Sequence, residues 1–241
     1  MRVIVDESLV RSRTRIGERA LSVGLLLVLV TIILAVLRPE WWPLILILSS
    51  AGLSASLVGG YLGERFVGPL AYHKKVPLAL KGLDDRYTLL MYKLPSPFVL
   101  VEPSGLTVIK VKSQDGNIVY ENGAWRHREK WGFLKRFAGQ ESIGKPEQQA
   151  WTEVEQVNKL LKKLPLNDEE IPVRPLILFI NPRVQLSADE CPVPALRAAK
   201  LKSWLRGPGR ESALSDDILQ HLYEVLEIEE DEGSYVDEND D

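Results

Sequence analysis

"VLVEPSGLTVIKVKSQDG", Val99 to Gly116, is the stretch that decides how this chain folds. Two apolar runs flank a Pro-Ser-Gly turn, Glu102 to Gly105, which is the pattern of two consecutive strands. The second run alternates, and it carries Lys110 and Lys112 two residues apart, so both side chains project from one sheet face. Like charges side by side repel, and burying both requires compensation. Upstream, "LDDRYTLLMYKLP" (Leu83 to Pro95) has the aromatic and branched content of another strand. Downstream, "GNIVYENGAWRHRE" reads as a hairpin with "ENG" (Glu121 to Gly123) at its tip.

Helical periodicity follows. "KPEQQAWTEVEQVNKLLKKL" sets Ala150, Val154, Val157, Leu160, Leu161 and Leu164 on one helix face, with Pro146 near the start. "VRPLILFIN" (Val173 to Asn181) is a short apolar run bounded by Pro and Asn-Pro, the signature of a buried central strand. "PALRAAKLKSWL" and "SALSDDILQHLYEVLEI" predict two further helices across a "RGPGRE" linker, with Ser215 and the following Asp216 and Asp217 as capping candidates for the second. The closing "EIEEDEGSYVDENDD" is acidic and reads as a disordered, solubilising tail. Strands, a helix, a buried strand and more helices describe an α/β fold, a mixed sheet flanked by helices.

The 241 residues and net charge of −3 leave room for one such domain plus an additional element. The single cysteine, Cys191, excludes an internal disulfide and a Cys-based zinc site, and its neighbours form no activating constellation. His73, His127 and His221 show no metal-ligand spacing. No phosphate-binding Gly loop or dinucleotide fingerprint occurs.

The additional element is apolar. "ALSVGLLLVLVTIILAVL", between Arg19 and Arg38, carries no charge and as a helix covers roughly 27 Å, close to a bilayer's hydrocarbon thickness. A second uncharged span runs from Trp41 to Gly63, separated from the first by Arg38-Pro39-Glu40 and opened by Trp41 and Trp42 at the expected headgroup level. The first span is too long for a signal-peptide core, and a second follows at once. Together they predict a two-helix transmembrane hairpin. Arg2, Arg11, Arg13, Arg15 and Arg19 precede it, and Arg65, Lys74, Lys75 and Lys81 follow it. The positive-inside rule therefore puts both termini in the cytoplasm of a multi-pass cell-membrane protein. Small residues of the second span suit helix packing, within the hairpin or between chains in a homo-oligomer. The organisation expected is a basic N-terminus (1–19), the hairpin (20–63), an α/β domain (64–226) and the acidic tail (227–241).

Several motifs occur in a telling order: "GERF" before the first strand, the Pro-Ser-Gly turn ending at Gly105, "VIKVK", Trp125, "KPEQQA" and "LILFINP". In that order they resemble the nuclease-related domain (NERD), a branch of the PD-(D/E)XK restriction-endonuclease-like fold, over roughly Gly63 to Gln185. The resemblance implies metal-assisted phosphodiester cleavage. A helix acid, a strand-opening Asp and a Glu-x-Lys would gather around Mg²⁺, which favours carboxylate oxygens and generates the nucleophile. The lysine would help stabilise developing negative charge.

Carried over by residue, Glu64 stands for the helix acid, Lys112 matches the motif lysine, and Gln149 matches the Gln of an Asn-Pro-x-x-Gln box in which Lys145 replaces the Asn. The strand-opening Asp falls near Pro97, where no carboxylate exists, and the Glu of Glu-x-Lys falls at Lys110. A cation beside a metal position opposes the ion by on the order of 4 kcal/mol at an effective dielectric near 20. Glu102, Asp115 and Glu121 lack the strand parity or position to substitute.

The resemblance therefore implies a membrane-anchored, catalytically degenerate domain with no metal cofactor. Lys110, Lys112 and the run "WRHREKWGFLKR", with Arg126, Arg128, Lys130, Lys135 and Arg136, would supply a basic, aromatic-interleaved surface for nucleic acid or anionic lipid. Two other readings stay open: an active Mg²⁺-dependent nuclease with a non-standard site, and a scaffold for a protein partner.

Overall fold

The structure is a computed structural model that describes residues 1–128, 142–165, 171–207, 214 and 216–225. In chain order the elements are β1 (Arg2–Val5), α1 (Glu7–Leu37), α2 (Trp42–Leu62), α3 (Tyr72–Leu80), β2 (Thr88–Met91), β3 (Phe98–Glu102) and β4 (Gly105–Lys112). Then come β5 (Gly116–Glu121), β6 (Ala124–Arg128), α4 (Pro146–Leu161), β7 (Val173–Phe179), β8 (Val184–Ser187), β9 (Ala195–Arg197), α5 (Ala198–Leu205) and α6 (Asp216–Val225). They fall into two compact units, one α/β and one helical.

The α/β unit is built on a six-stranded mixed sheet in the order β1-β2-β3-β4-β7-β9. The hairpin β3–β4 is antiparallel, with Glu102 opposite Gly105 across the predicted turn. Strand β7 then pairs parallel to β4, Lys110 opposite Ile177 and Lys112 opposite Phe179. A parallel pair needs a crossover, and the connection carrying α4 provides it. Helix α4 begins with Pro at its first turn and presents Val154, Val157 and Leu161 to Leu106 and Val108 of β4 and to Val99 and Val101 of β3. Its first turn adds Ala150 to a second cluster with Ile177 and Phe179 of β7. Alternate residues on the other face, Leu100, Ile109, Leu176 and Leu178, are fully buried too, so the central strands read as continuous apolar runs. A smaller sheet, β6-β5-β8, holds the expected "ENG" hairpin.

Gly105 explains the fixed turn. Its φ of +128° lies in the left-handed region, and a Cβ there would sit 2.3 Å from the Pro172 carbonyl oxygen. That same carbonyl accepts a hydrogen bond from Leu106 N at 2.8 Å, which locks the start of β7 against the start of β4. Only glycine meets both demands.

Three features depart from the sequence reading. Residues expected to be a basic N-terminal segment include β1, which pairs parallel to β2 from Arg2↔Thr88 to Val5↔Met91, so the α/β unit takes in Met1–Asp6 as well as the chain from Lys75. The run read wholly as a helix from Pro194 opens with β9, because Ala195–Arg197 complete the sheet edge beside β7 before α5 starts. Strand β8, only four residues long, has no predicted counterpart. Ser215 and the 227–241 tail lie outside the described residues.

The helical unit spans Glu7–Lys74 and consists of α1, a 3₁₀ turn at Pro39–Trp41, α2 and a π-helical turn at Gly63–Val67. Helices α1 and α2 are long and apolar enough to cross a membrane. Gly17, Gly24 and Thr31 of α1 and Gly52 and Gly59 of α2 are buried at seven-residue spacing, with Leu62 buried at the end of α2. A Cβ on Gly24 would meet Ser56 N at 2.6 Å, and one on Gly59 would meet Leu21 N at 2.4 Å. Glycine thus lets the two backbones approach, and the small residues are used within the hairpin. Outward, Leu25 and Val36 are 71% and 75% exposed, and Ile32, Leu37, Trp42 and Ile47 are exposed with them. An apolar surface of this extent marks a contact with lipid or protein rather than water.

Replacing Gly59 with Leu puts side-chain atoms where the α1 backbone lies, at a cost of about 1–3 kcal/mol. Graded SDS unfolding of the detergent-solubilised protein is expected to show the Gly59→Leu hairpin opening at lower SDS than wild type, with Leu57→Ala on the exposed side unchanged.

Candidate functional site

The site lies on the α4 side of β4. Leu106, Val108, Lys110 and Lys112 share that face by strand parity, and the first two are covered by α4. Lys110 comes next along the strand, where α4 presents Glu153. The Lys110 Nζ donates to Glu153 Oε1 at 2.7 Å, with the two side chains only 18% and 13% exposed. The other oxygen of the same carboxylate accepts from Ser96 Oγ at 3.0 Å. Ser96 is fully buried, immediately before Pro97, whose carbonyl accepts from Tyr92 N at 2.8 Å. Strand β3 entry, mid-β4 and α4 therefore meet in one Ser96–Glu153–Lys110 network.

Lys112 sits two residues further along β4 and is fully buried, 0% exposed. Its backbone carbonyl accepts from Ile180 N at 2.9 Å, continuing the β4–β7 ladder. The two lysines are thus distinguished by burial and setting, and the repulsion between them is offset by a carboxylate at Lys110. Gln149 lies one helical turn before Glu153, on the same side of α4. Its side-chain oxygen is buried and accepts no hydrogen bond among the described residues. Lys145, in the position of the box's Asn, makes no side-chain cap, so α4 starts without one.

A second acid occupies the first turn of α4. Glu147 is nearly buried and accepts a hydrogen bond from the Trp125 indole Nε1 at 2.6 Å. A carboxylate there complements the helix dipole. Trp125 packs at 5.1 Å between ring centroids against Tyr120 and at 5.9 Å against Phe179. Cys191 packs against the same cluster. Burial, with a smaller contribution from the Glu147 charge, pushes its thiol above the ordinary value. Glu102, at the end of β3, is buried and accepts from the Thr107 hydroxyl.

The remaining sequence-derived residues are not all brought together. Glu64 sits in the π-helical turn of the helical unit, not in the α/β unit that holds Lys112. Arg126 is exposed on β6 and pairs with Glu121 at 3.0 Å. Arg128 ends β6, while Lys130, Lys135 and Arg136 lie outside the described residues. Lys110, read from the sequence as part of an open basic surface, is instead engaged and largely covered. Among the described residues no group of three or more His, Cys, Asp or Glu is placed to hold a metal ion.

The elements α3-β2-β3-β4-α4-β7, with the buried lysine on β4 and the Gln one turn into α4, lie in a stretch that is similar to a known domain. The family model of the nuclease-related domain matches residues 76–180. The match begins inside α3 and ends one residue past β7, so the nuclease-related stretch coincides with the central elements of the large sheet. The match covers Lys110, Lys112, Gln149 and Glu153, and leaves Glu64 and both apolar helices outside. Comparison with curated proteins and with solved structures gave no match.

Glu153 and Ser96 are the residues that sequence reasoning missed. The substitutes sought for the missing acids were on strands and turns, whereas Glu153 arrives from a helix. Its spacing of four from Gln149 was the available signal.

Two outcomes test this description. Glu153→Gln removes the partner of a largely covered ammonium and is expected to cost about 2 kcal/mol. A double-mutant cycle with Lys110→Met, read by chemical denaturation, should return a coupling of about 1–3 kcal/mol. Cys191 should react with iodoacetamide at pH 8 at least ~5-fold more slowly than in the denatured chain, because less of it is thiolate and access is reduced.

Proposed function

We propose that this protein is a membrane-anchored, catalytically degenerate nuclease-related domain that binds nucleic acid and does not cleave it. The observation that supports this most is the Lys110–Glu153 ion pair. Metal-assisted cleavage needs carboxylates free to hold a hard ion beside the motif lysine. Here the strand position two residues before Lys112 carries an ammonium, and the nearest acid on α4 is already committed to it. Near Pro97 the side chain contributed is the hydroxyl of Ser96. What persists at the surface is cationic: Arg126, exposed on β6, and the basic run of the sequence through Arg128, Lys130, Lys135 and Arg136. Such a set binds phosphates by charge and releases counterions as it does so.

The anchor is the α1–α2 hairpin, spanning a bilayer with both outer ends on the cytoplasmic side. The basic residues at those ends favour this orientation. So does the pairing of β1, before the hairpin, with β2, after it, because one sheet cannot form across a membrane.

The test uses the full chain in detergent micelles. Labelled single-stranded and duplex oligonucleotides should bind, with log Kd rising linearly with log salt at a slope of about 0.7–0.9 per phosphate contacted. Incubation with Mg²⁺ or Mn²⁺ should leave the strands intact. Absence of salt-dependent binding to DNA or RNA would sink the nucleic-acid reading. Cleavage that disappears in Lys112→Ala and in Glu64→Gln would overturn the degeneracy and favour an active nuclease with a non-standard site.

A further inference from the structure

Magnesium, the ion that a nuclease-related fold implies, does not fit the residues on the α4 side of β4. A hard divalent ion requires several oxygen donors of net negative charge. The network there contains one carboxylate, and both of its oxygens are already used: Oε1 by the Lys110 ammonium at 2.7 Å and Oε2 by the Ser96 hydroxyl at 3.0 Å. Lys110 and Glu153 together are neutral, and the fully buried Lys112 stands two residues along the same strand face. An entering divalent ion would have to displace the Lys110 ammonium from Glu153, in a largely covered setting where repulsion is weakly screened.

We infer that Lys110 is a built-in cation: its ammonium, held between β4 and α4 by Glu153, occupies the place of a divalent ion and excludes one. The inference rests on the nuclease-related reading of the site but not on nucleic-acid binding. The geometry also says how the site would convert. Lys110 is the cation that holds Glu153 Oε1, so removing its charge frees that oxygen. Replacing it by a carboxylate sets two acids side by side, from β4 and from α4, with the Ser96 hydroxyl adjacent. The buried Gln149 oxygen lies one turn away on the same helix. Two adjacent carboxylates cannot both ionise without a cation, so the converted site should take up metal with release of a proton.

The test is Mn²⁺ binding to the full-length protein in detergent, read by electron paramagnetic resonance of free Mn²⁺, beside oligonucleotide binding with and without EDTA. Wild type is expected to show no Mn²⁺ site that depends on Glu153, so wild type and Glu153→Gln bind Mn²⁺ alike. Lys110→Glu is expected to bind Mn²⁺ at least ~10-fold more tightly than wild type, more so at pH 8 than at pH 6, and Lys110→Glu with Glu153→Gln should lose that gain. Lys110→Gln, which frees Glu153 without adding a charge, keeps the test open if Lys110→Glu does not fold, and should gain ~3-fold or more. A wild-type Mn²⁺ site abolished by Glu153→Gln would overturn the inference. So would folded Lys110→Glu, judged by near-UV circular dichroism, with no gain. Wild type that binds no oligonucleotide would refute the proposed function alone, since the Mn²⁺ readings stand without it.

Discussion

The carbonyl oxygen of Pro172 lies where a side chain on residue 105 would have to go. That close approach fixes the rest of the α/β unit. It sets the register in which β7 runs beside β4, and through that register it places Lys110 opposite Ile177 and Lys112 opposite Phe179. Helix α4 then settles over both strands, Ala150 against Ile177 and Phe179, Val154 and Val157 against Val108 and Leu106. Its rotation is thereby determined, and Glu153 is delivered to Lys110. A charge pair that looks local is the last step of a packing sequence that begins at a glycine.

The same register explains why two lysines on one strand face have different settings. Lys110 lies at the level of the Ser96 and Glu153 polar groups, whereas Lys112 is opposite Phe179, where the ladder continues into Ile180. Buried charge is tolerated when its partner is fixed by packing rather than found by chance. Glu153 follows one turn after Gln149 and directly precedes the apolar stripe of α4, so the helix that closes the core also supplies the counter-charge.

Much of this was legible in the residues. The β3–turn–β4 unit, the hairpin ending at β6, α4 and β7 follow from alternation, Gly-containing turns and helical spacing. The matched family stretch, residues 76–180, runs through the same motifs. What escaped notice was short or contributed from afar. Strands β8 and β9 have four and three residues, too few for any period to declare itself. Strand β1 is legible only once β2 is known, because nothing in "RVIV" announces a partner beyond two apolar helices. The site shows the same limit: Lys110 and Lys112 could be paired by parity, but an acid arriving from α4 is a tertiary fact. Pattern reading finds what neighbours in sequence share, and Glu153 is 43 residues from the lysine it holds.

Strand β1 also has a consequence for how the sheet is completed. Its residues precede both apolar helices in the chain, yet the strand they pair with, beginning at Thr88, follows them. This edge of the sheet cannot be completed until the chain on both sides of the two helices is present. Closing a loop of that length is entropically slow. The edge of the finished sheet is accordingly a clasp, in which Arg2–Val5 and Thr88–Met91 tie together the two ends of the chain that carries both apolar helices.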